Sequence, residues 1–110
     1  MNIQFKKGVL ELCVLSLLAE RDYYGYEIVN KISEEIEMSN GTIYPLLKRL
    51  YDDGYFETYM KEPIDGPPRK YYKITPLGIE AKKKLEKEWF QFVERVNNIV
   101  KNNGRTYEKK

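Results

Sequence analysis

Apolar positions recur along this chain in several rhythms, and each rhythm predicts a different element. From Lys6 to Glu20 the residues Val9, Leu10, Leu12, Cys13, Val14, Leu15, Leu17, Leu18 and Ala19 cover far more than one stripe. A helix apolar nearly all round must be buried on two sides, and in so short a chain burial against another subunit is the simplest way to cover the second. Arg21 to Gly25 reads as a break, with Asp22 and Gly25 as turn residues. From Tyr26 to Glu37, Ile28, Val29, Ile32 and Ile36 fall at helical spacing and predict a second helix with one apolar face. A connection of about 3–4 residues then leads to another helix, which is a helix-turn-helix arrangement.

The third helix opens with Ser39 as expected N-cap, with Met38 and Ile43 placed to form a hydrophobic staple across its start. Ile43, Leu46, Leu47 and Leu50 form its inner face; Asn40, Thr42, Tyr44, Lys48 and Arg49 lie elsewhere on it. Pro45 bears on where it begins, because an interior proline costs a helix about 3 kcal/mol. Either the helix starts at Ser39, leaving the exposed carbonyl of Gly41 without its partner, or it starts at Tyr44 with Pro45 as first helical residue; the Ser39 start is the reading adopted. Asp53-Gly54 stops the helix. Tyr55–Met60 and Arg69–Ile74 are rich in Tyr, Phe, Thr and Ile and predict two strands. The intervening KEPIDGPP holds three prolines, which cannot donate to a ladder, so it forms a stiff tip. Thr75-Pro76 restarts a helix that runs to about Asn103 on a spine of Ala81, Leu85, Trp89, Phe92, Val96 and Ile99, a coiled-coil-like seam. Some 26 residues at about 1.5 Å each span about 39 Å, too long for a small domain to cover, so the seam calls for a partner and a symmetric dimer is the default.

Composition narrows the chemistry. At 110 residues, 42% apolar and 33% charged, the chain has the make-up of one soluble globular domain. Net charge is only +2, so any basic footprint must be local. The single cysteine, Cys13, excludes an intrachain disulfide and fits a cytoplasmic protein. Glu11 interrupts the first apolar run and Glu20, Arg21 and Asp22 follow it, against a secretory leader. There is no histidine, which removes the commonest general base and metal ligand; zinc sites and nucleophilic triads are closed off with it. An enzyme is a poor reading, and no cofactor or metal is implied.

What remains is a polar helix face and a hairpin. The first amides of the third helix, at Asn40 to Thr42, suit a phosphate. Asn40, Thr42 and Tyr44 offer hydrogen bonds, and Lys48 and Arg49 offer charge, to phosphates or base edges; alone, the same residues would pass for an ordinary solvated face. Arg69, Lys70 and Lys73 stand near the Gly66-Pro67-Pro68 tip, offset by Glu57, Glu62 and Asp65. Tyr71 and Tyr72 point to opposite faces of their strand, one packing inward with Phe56 and Ile74, the other facing out. Trp89 either packs a dimer core or, with its symmetry mate, flanks a hydrophobic effector pocket. A protein-interaction module without specific DNA binding is the alternative use of the same hairpin.

At GTIYPLLKRLYDDGYF and GPPRKYYKIT, flanked by YGYEI (Tyr24 to Ile28) and TPLG (Thr75 to Gly78), the chain resembles the PadR family of bacterial transcriptional regulators, in particular its compact subfamily of multidrug-sensing repressors. The resemblance implies a mainly α fold with a small β-hairpin: a winged helix-turn-helix over residues 1–75, a dimerisation helix over 76–104, and a tail at 105–110 expected to be disordered. It implies a homodimer whose last helix packs on the partner's first helix, a palindromic double-stranded DNA operator read by the third helix, and wing contacts to backbone or minor groove. The DNA-binding residues so expected are Lys6, Asn40, Thr42, Tyr44, Lys48, Arg49, Arg69, Lys70 and Tyr71. Trp89 stands where drug-sensing members carry a tryptophan that stacks on planar ligands, so Trp89 and Phe92 are the expected contacts of a planar aromatic effector. Phe90 and Phe92 depart from that pattern, which leaves two alternatives open, that they line the pocket or that they fill it.

Overall fold

The computed structural model describes the backbone of residues 3–101 and the side chains from residue 8 onward. Its elements run α1 (Ile3–Glu20), β1 (Tyr23–Tyr24), α2 (Gly25–Ser33), α3 (Asn40–Asp52), β2 (Phe56–Lys61), β3 (Arg69–Ile74) and α4 (Pro76–Lys101). The expected end of the last helix at Asn103 and the tail at 105–110 lie outside the described residues. The core forms where the apolar faces of three helices meet the sheet: Leu10, Val14 and Leu18 of α1, Ile28 and Ile32 of α2, Ile43, Leu46, Leu47 and Leu50 of α3, and Phe56 of β2. Those are the positions that helical and strand periodicity set inward.

Local expectations change at three places, the first two between α1 and α3. The segment read as a break contains a third strand: Tyr23 pairs with Tyr72 and Tyr24 with Tyr71, giving an antiparallel sheet in the order β1-β3-β2. A two-residue strand is too short to alternate visibly, and burial of Tyr23, only 2% exposed, fixes it instead. The second helix stops at Ser33, short of Glu37. The amides of Glu35 and Ile36 both donate to the Ile32 carbonyl, at 2.9 and 2.8 Å, and this turn brings Ile36 back against the core. The connection is therefore residues 34–39, longer than the 3–4 residues expected.

The third helix begins at Asn40 with Ser39 as N-cap, and Pro45 lies inside it. Its first turn is closed by the Ser39 carbonyl, which accepts from the amides of Thr42 at 3.0 Å and Ile43 at 3.2 Å. The Ser39 hydroxyl does not cap the backbone as expected; it lies 3.2 Å from the Thr42 hydroxyl. Pro45 is tolerated because the carbonyl it deprives, on Gly41, sits at an exposed residue. At the other end Gly54 takes φ +83°, the left-handed backbone that glycine adopts without a Cβ penalty. Its amide donates to Tyr51 and that of Tyr55 to Leu50, both at 3.0 Å, so the last carbonyls of α3 are satisfied as the chain turns into β2.

α4 is seated by a second clasp. The Thr75 hydroxyl donates to the Gly54 carbonyl at 2.7 Å and accepts from the Gly78 amide at 3.0 Å, tying the start of α4 to the end of α3. From there α4 crosses α1 and then leaves the body, and the molecule measures 61 × 26 × 22 Å. Ala81, Leu85 and Trp89 are half-buried on this path, whereas Phe92, Val96 and Ile99 of the same seam are exposed, with Ile99 at 75%.

Candidate nucleic-acid interface

The outer surface of α3 carries two polar stripes, because residues four apart stack along a helix. On one, Tyr44 is 43% exposed and Lys48 donates to Asp52 Oδ2 at 2.9 Å. That hydrogen bond and the Asp52 charge hold the Lys48 ammonium above its usual range, so it is a cation at any physiological pH. Both partners are well exposed, where an ion pair is weak enough for a phosphate to compete with it. On the other stripe, Thr42 and Arg49 flank Pro45. Arg49 is drawn toward α1, donating to Glu11 Oε1 at 3.1 Å, and reaches Asp53 Oδ2 at 3.5 Å. Asn40 is exposed at the start of the helix.

The sheet supplies the second wall. Register pairs Thr58 with Tyr72 and Met60 with Lys70, which puts Thr58, Tyr72 and Lys70 on the α3 side. With Tyr44, Lys48, Tyr51 and Asp52 they line a cleft of about 340 Å³ between helix and wing. Burial raises the pKa of the Tyr72 phenol, helped by nearby Tyr44, and its ring packs edge-on against Phe56 at 4.9 Å. Tyr72 is thus the inward member of the pair that sequence left undecided.

Arg69 and Tyr71 lie on the opposite face. Tyr71 stacks on Tyr59 at 5.6 Å and meets Tyr24 at the same distance. The Arg69 guanidinium sits 4.7 Å over the Tyr24 ring, and Lys61 lies 5.3 Å from that of Tyr71. Tyr59 donates to Asp22 Oδ2 at 2.6 Å, which raises its own pKa. The structure therefore groups Tyr44, Lys48 and Lys70, and separates them from Arg69 and Tyr71. The side chain of Lys6 lies outside the described residues. Thr58, Tyr51 and Tyr72 were not among the expected contacts; the strand alternation that puts Thr58 in line with Phe56 was the signal for the first.

The expected effector residues meet on the far side. Trp89 and Phe92, with ring centroids 6.5 Å apart, share an open groove of about 390 Å³ with Leu85 and Glu88 of α4 and Gly8, Val9 and Leu12 of α1. Its α1 wall uses the apolar surface that α1 carries beyond its core stripe. Among the described residues no helix is long and apolar enough to cross a membrane.

The chain is similar to known regulators along most of its length. The family profile of the transcriptional regulator PadR-like family matches residues 14–87. Transcriptional regulator Rv3488 of Mycobacterium tuberculosis is 30% identical over 79 residues, covering 71% of this chain and 73% of that protein. The crystal structure of a PadR-like transcriptional regulator from Bacillus cereus is 37% identical with a TM-score of 0.80, covering 88% of this chain and 96% of the other. A PadR family transcription regulator from Clostridium difficile is 31% identical with a TM-score of 0.72, covering 83% and 96%. The helices, the three-stranded wing and the long last helix described above are the winged-helix architecture these structures share. On this match of profile, sequence and fold, the chain belongs to the PadR-like family of transcriptional regulators.

Proposed function

We propose that this regulator is a homodimeric repressor that binds a palindromic DNA operator through α3 and the wing and is released by a planar aromatic ligand. The observation that carries the DNA reading is the shared cleft: Tyr44 and Lys48 of α3 and Lys70 of β3 line one opening, so helix and wing address a single ligand together. In this reading α3 enters the major groove with Asn40, Thr42 and Tyr44 toward the bases. Lys48 and Lys70 grip the backbone, and Arg69, Tyr71 and Lys6 make flanking contacts. The small net charge of +2 makes one copy a weak binder, so affinity depends on two copies spaced about one helical turn apart.

Dimerisation is supported by α4. Phe92, Val96, Ile99 and Val100 are all exposed on its outer half, and an apolar seam on a projecting helix is covered most simply by its symmetry mate and by the partner's α1. Residues 76–104 then act as the dimerisation unit and 1–75 as the DNA-binding unit. An effector in the groove of Trp89 and Phe92 would act on the joint between them. It releases DNA only by favouring the spacing that does not fit the operator.

Two experiments test this. Lys48→Ala with Lys70→Ala should weaken retention of a labelled operator and reduce the slope of log affinity against log salt by about 2 per subunit, close to one for each phosphate left without its lysine. An unchanged slope removes both lysines from the interface. Titration with planar cationic dyes or phenolic acids should quench the single tryptophan, Trp89, and the same ligands should release DNA; quenching by none of them returns Trp89 to plain packing.

A further inference from the structure

Arg49 presents a conflict that the DNA reading does not resolve. It lies on the exposed side of α3 beside Thr42 and Pro45, yet its guanidinium is held by a carboxylate from another helix. Arg49 Nη2 donates to Glu11 Oε1 at 3.1 Å, across 38 positions of sequence. The Glu11 side chain is only 18% exposed, against 51% for Arg49, so the carboxylate is the more enclosed partner and the guanidinium the one more open to solvent and to an incoming anion. The other acid facing the guanidinium, Asp53, stands at 3.5 Å, is 44% exposed and caps the end of the same helix four residues on. Among the described residues, Glu11–Arg49 is the side-chain ion pair that joins α1 to α3.

We infer that Glu11 is an intramolecular competitor for the DNA backbone: its carboxylate occupies Arg49 in the free protein, and a phosphate must displace it. A guanidinium takes carboxylate and phosphate by the same forked geometry, so the two anions are alternatives for one cation. The exchange is close to balanced because a partly exposed ion pair is weak. Glu11 thereby lowers affinity for all duplex DNA. It also makes Arg49 a contact formed only where the backbone lies close enough to take it. This rests on the reading of α3 as the DNA-facing helix.

The test uses the full chain and a fluorescein-labelled duplex recovered by the wild-type protein from a random-sequence pool. Glu11→Gln keeps the shape of the side chain and removes its charge; it should tighten binding about 3- to 10-fold, the upper end of what a partly exposed pair is worth and somewhat beyond. Glu11→Asp keeps the charge but draws the carboxylate back from Arg49, and should tighten binding as well. In an Arg49→Gln background, itself a weaker binder, Glu11→Gln should change affinity by less than about 1.5-fold, since sites that share one interaction are non-additive. Urea unfolding of each variant shows whether it is folded under the binding conditions. Weaker binding by Glu11→Gln overturns the inference, as does an equal gain in both backgrounds or wild-type affinity in Glu11→Asp, which would make Glu11 a general repulsive charge. If the wild-type chain recovers no duplex at all, the reading of α3 itself falls; if it binds and Glu11 has no effect, only the competitor is lost.

Discussion

Gly78→Ala is expected to destabilise the fold by about 3 kcal/mol, the upper end of what overpacking a core position costs. Gly78 is buried in the first turn of α4, and a Cβ there would lie 2.0 Å from the Tyr55 carbonyl oxygen and 2.8 Å from Ile74 Cγ1. The nearer atom belongs to the backbone, so no rotamer change relieves the clash. Either α4 lifts off the start of β2 or Tyr55 gives up its place, and Tyr55 also accepts the Thr75 amide at 3.1 Å. Both routes loosen the clasp of Thr75 between Gly54 and Gly78. Equilibrium urea unfolding measures the loss, and a midpoint equal to wild type would mean that α4 seats differently. Gly66 is the internal control: it has φ +108° but open space around it, so Gly66→Ala costs only the left-handed backbone penalty, about 1–2 kcal/mol.

The second large effect falls on assembly and leaves the monomer fold alone. Val96→Glu with Ile99→Glu places two carboxylates on the exposed outer half of α4, at side chains 40% and 75% exposed. Neither touches the core, so helical content by circular dichroism should stay within a few per cent of wild type. If the seam is the dimer contact, the variant should sediment as a monomer where the wild type is a dimer. Operator affinity should then fall about 10²- to 10⁴-fold, the advantage of binding the second half-site as an intramolecular step. Loss of the dimer with undiminished DNA affinity would break the link between the two. A variant that stays dimeric would place the interface elsewhere.

How much of this was legible beforehand follows from the length of each signal. α4 and α3 were readable because an apolar spine repeats over several turns and each end carries its own chemistry, Thr75-Pro76 at one start and Gly54 at the other stop. The interior Pro45 was resolvable on physical grounds, since the carbonyl it deprives is in the exposed first turn. β1 was not readable, because Tyr23-Tyr24 is fixed by pairing with β3, a partner far along the chain. The early end of α2 was hidden for a related reason: Ile36 keeps helical spacing but reaches the core through a turn. Side-chain partners were the least legible. Nothing local tells that Arg49 turns to Glu11, that the Lys70 and Tyr72 face of β3 is the one turned to α3, or that the Arg69 and Tyr71 face joins a tyrosine stack. Each depends on which face a strand presents once the sheet is assembled, or on where two helices cross.

The central claim, a DNA grip built jointly by α3 and the wing, is tested most directly by the salt dependence of duplex binding. Selected operator duplex is titrated with the wild-type protein by fluorescence anisotropy between about 50 and 200 mM monovalent salt. With Lys48 and Lys70 of both copies on phosphates, at least four charges are neutralised, and log affinity should fall against log salt with a slope of about −3.6 or steeper. Binding at low salt with a slope near zero, or no retention of duplex at any salt, would contradict the account.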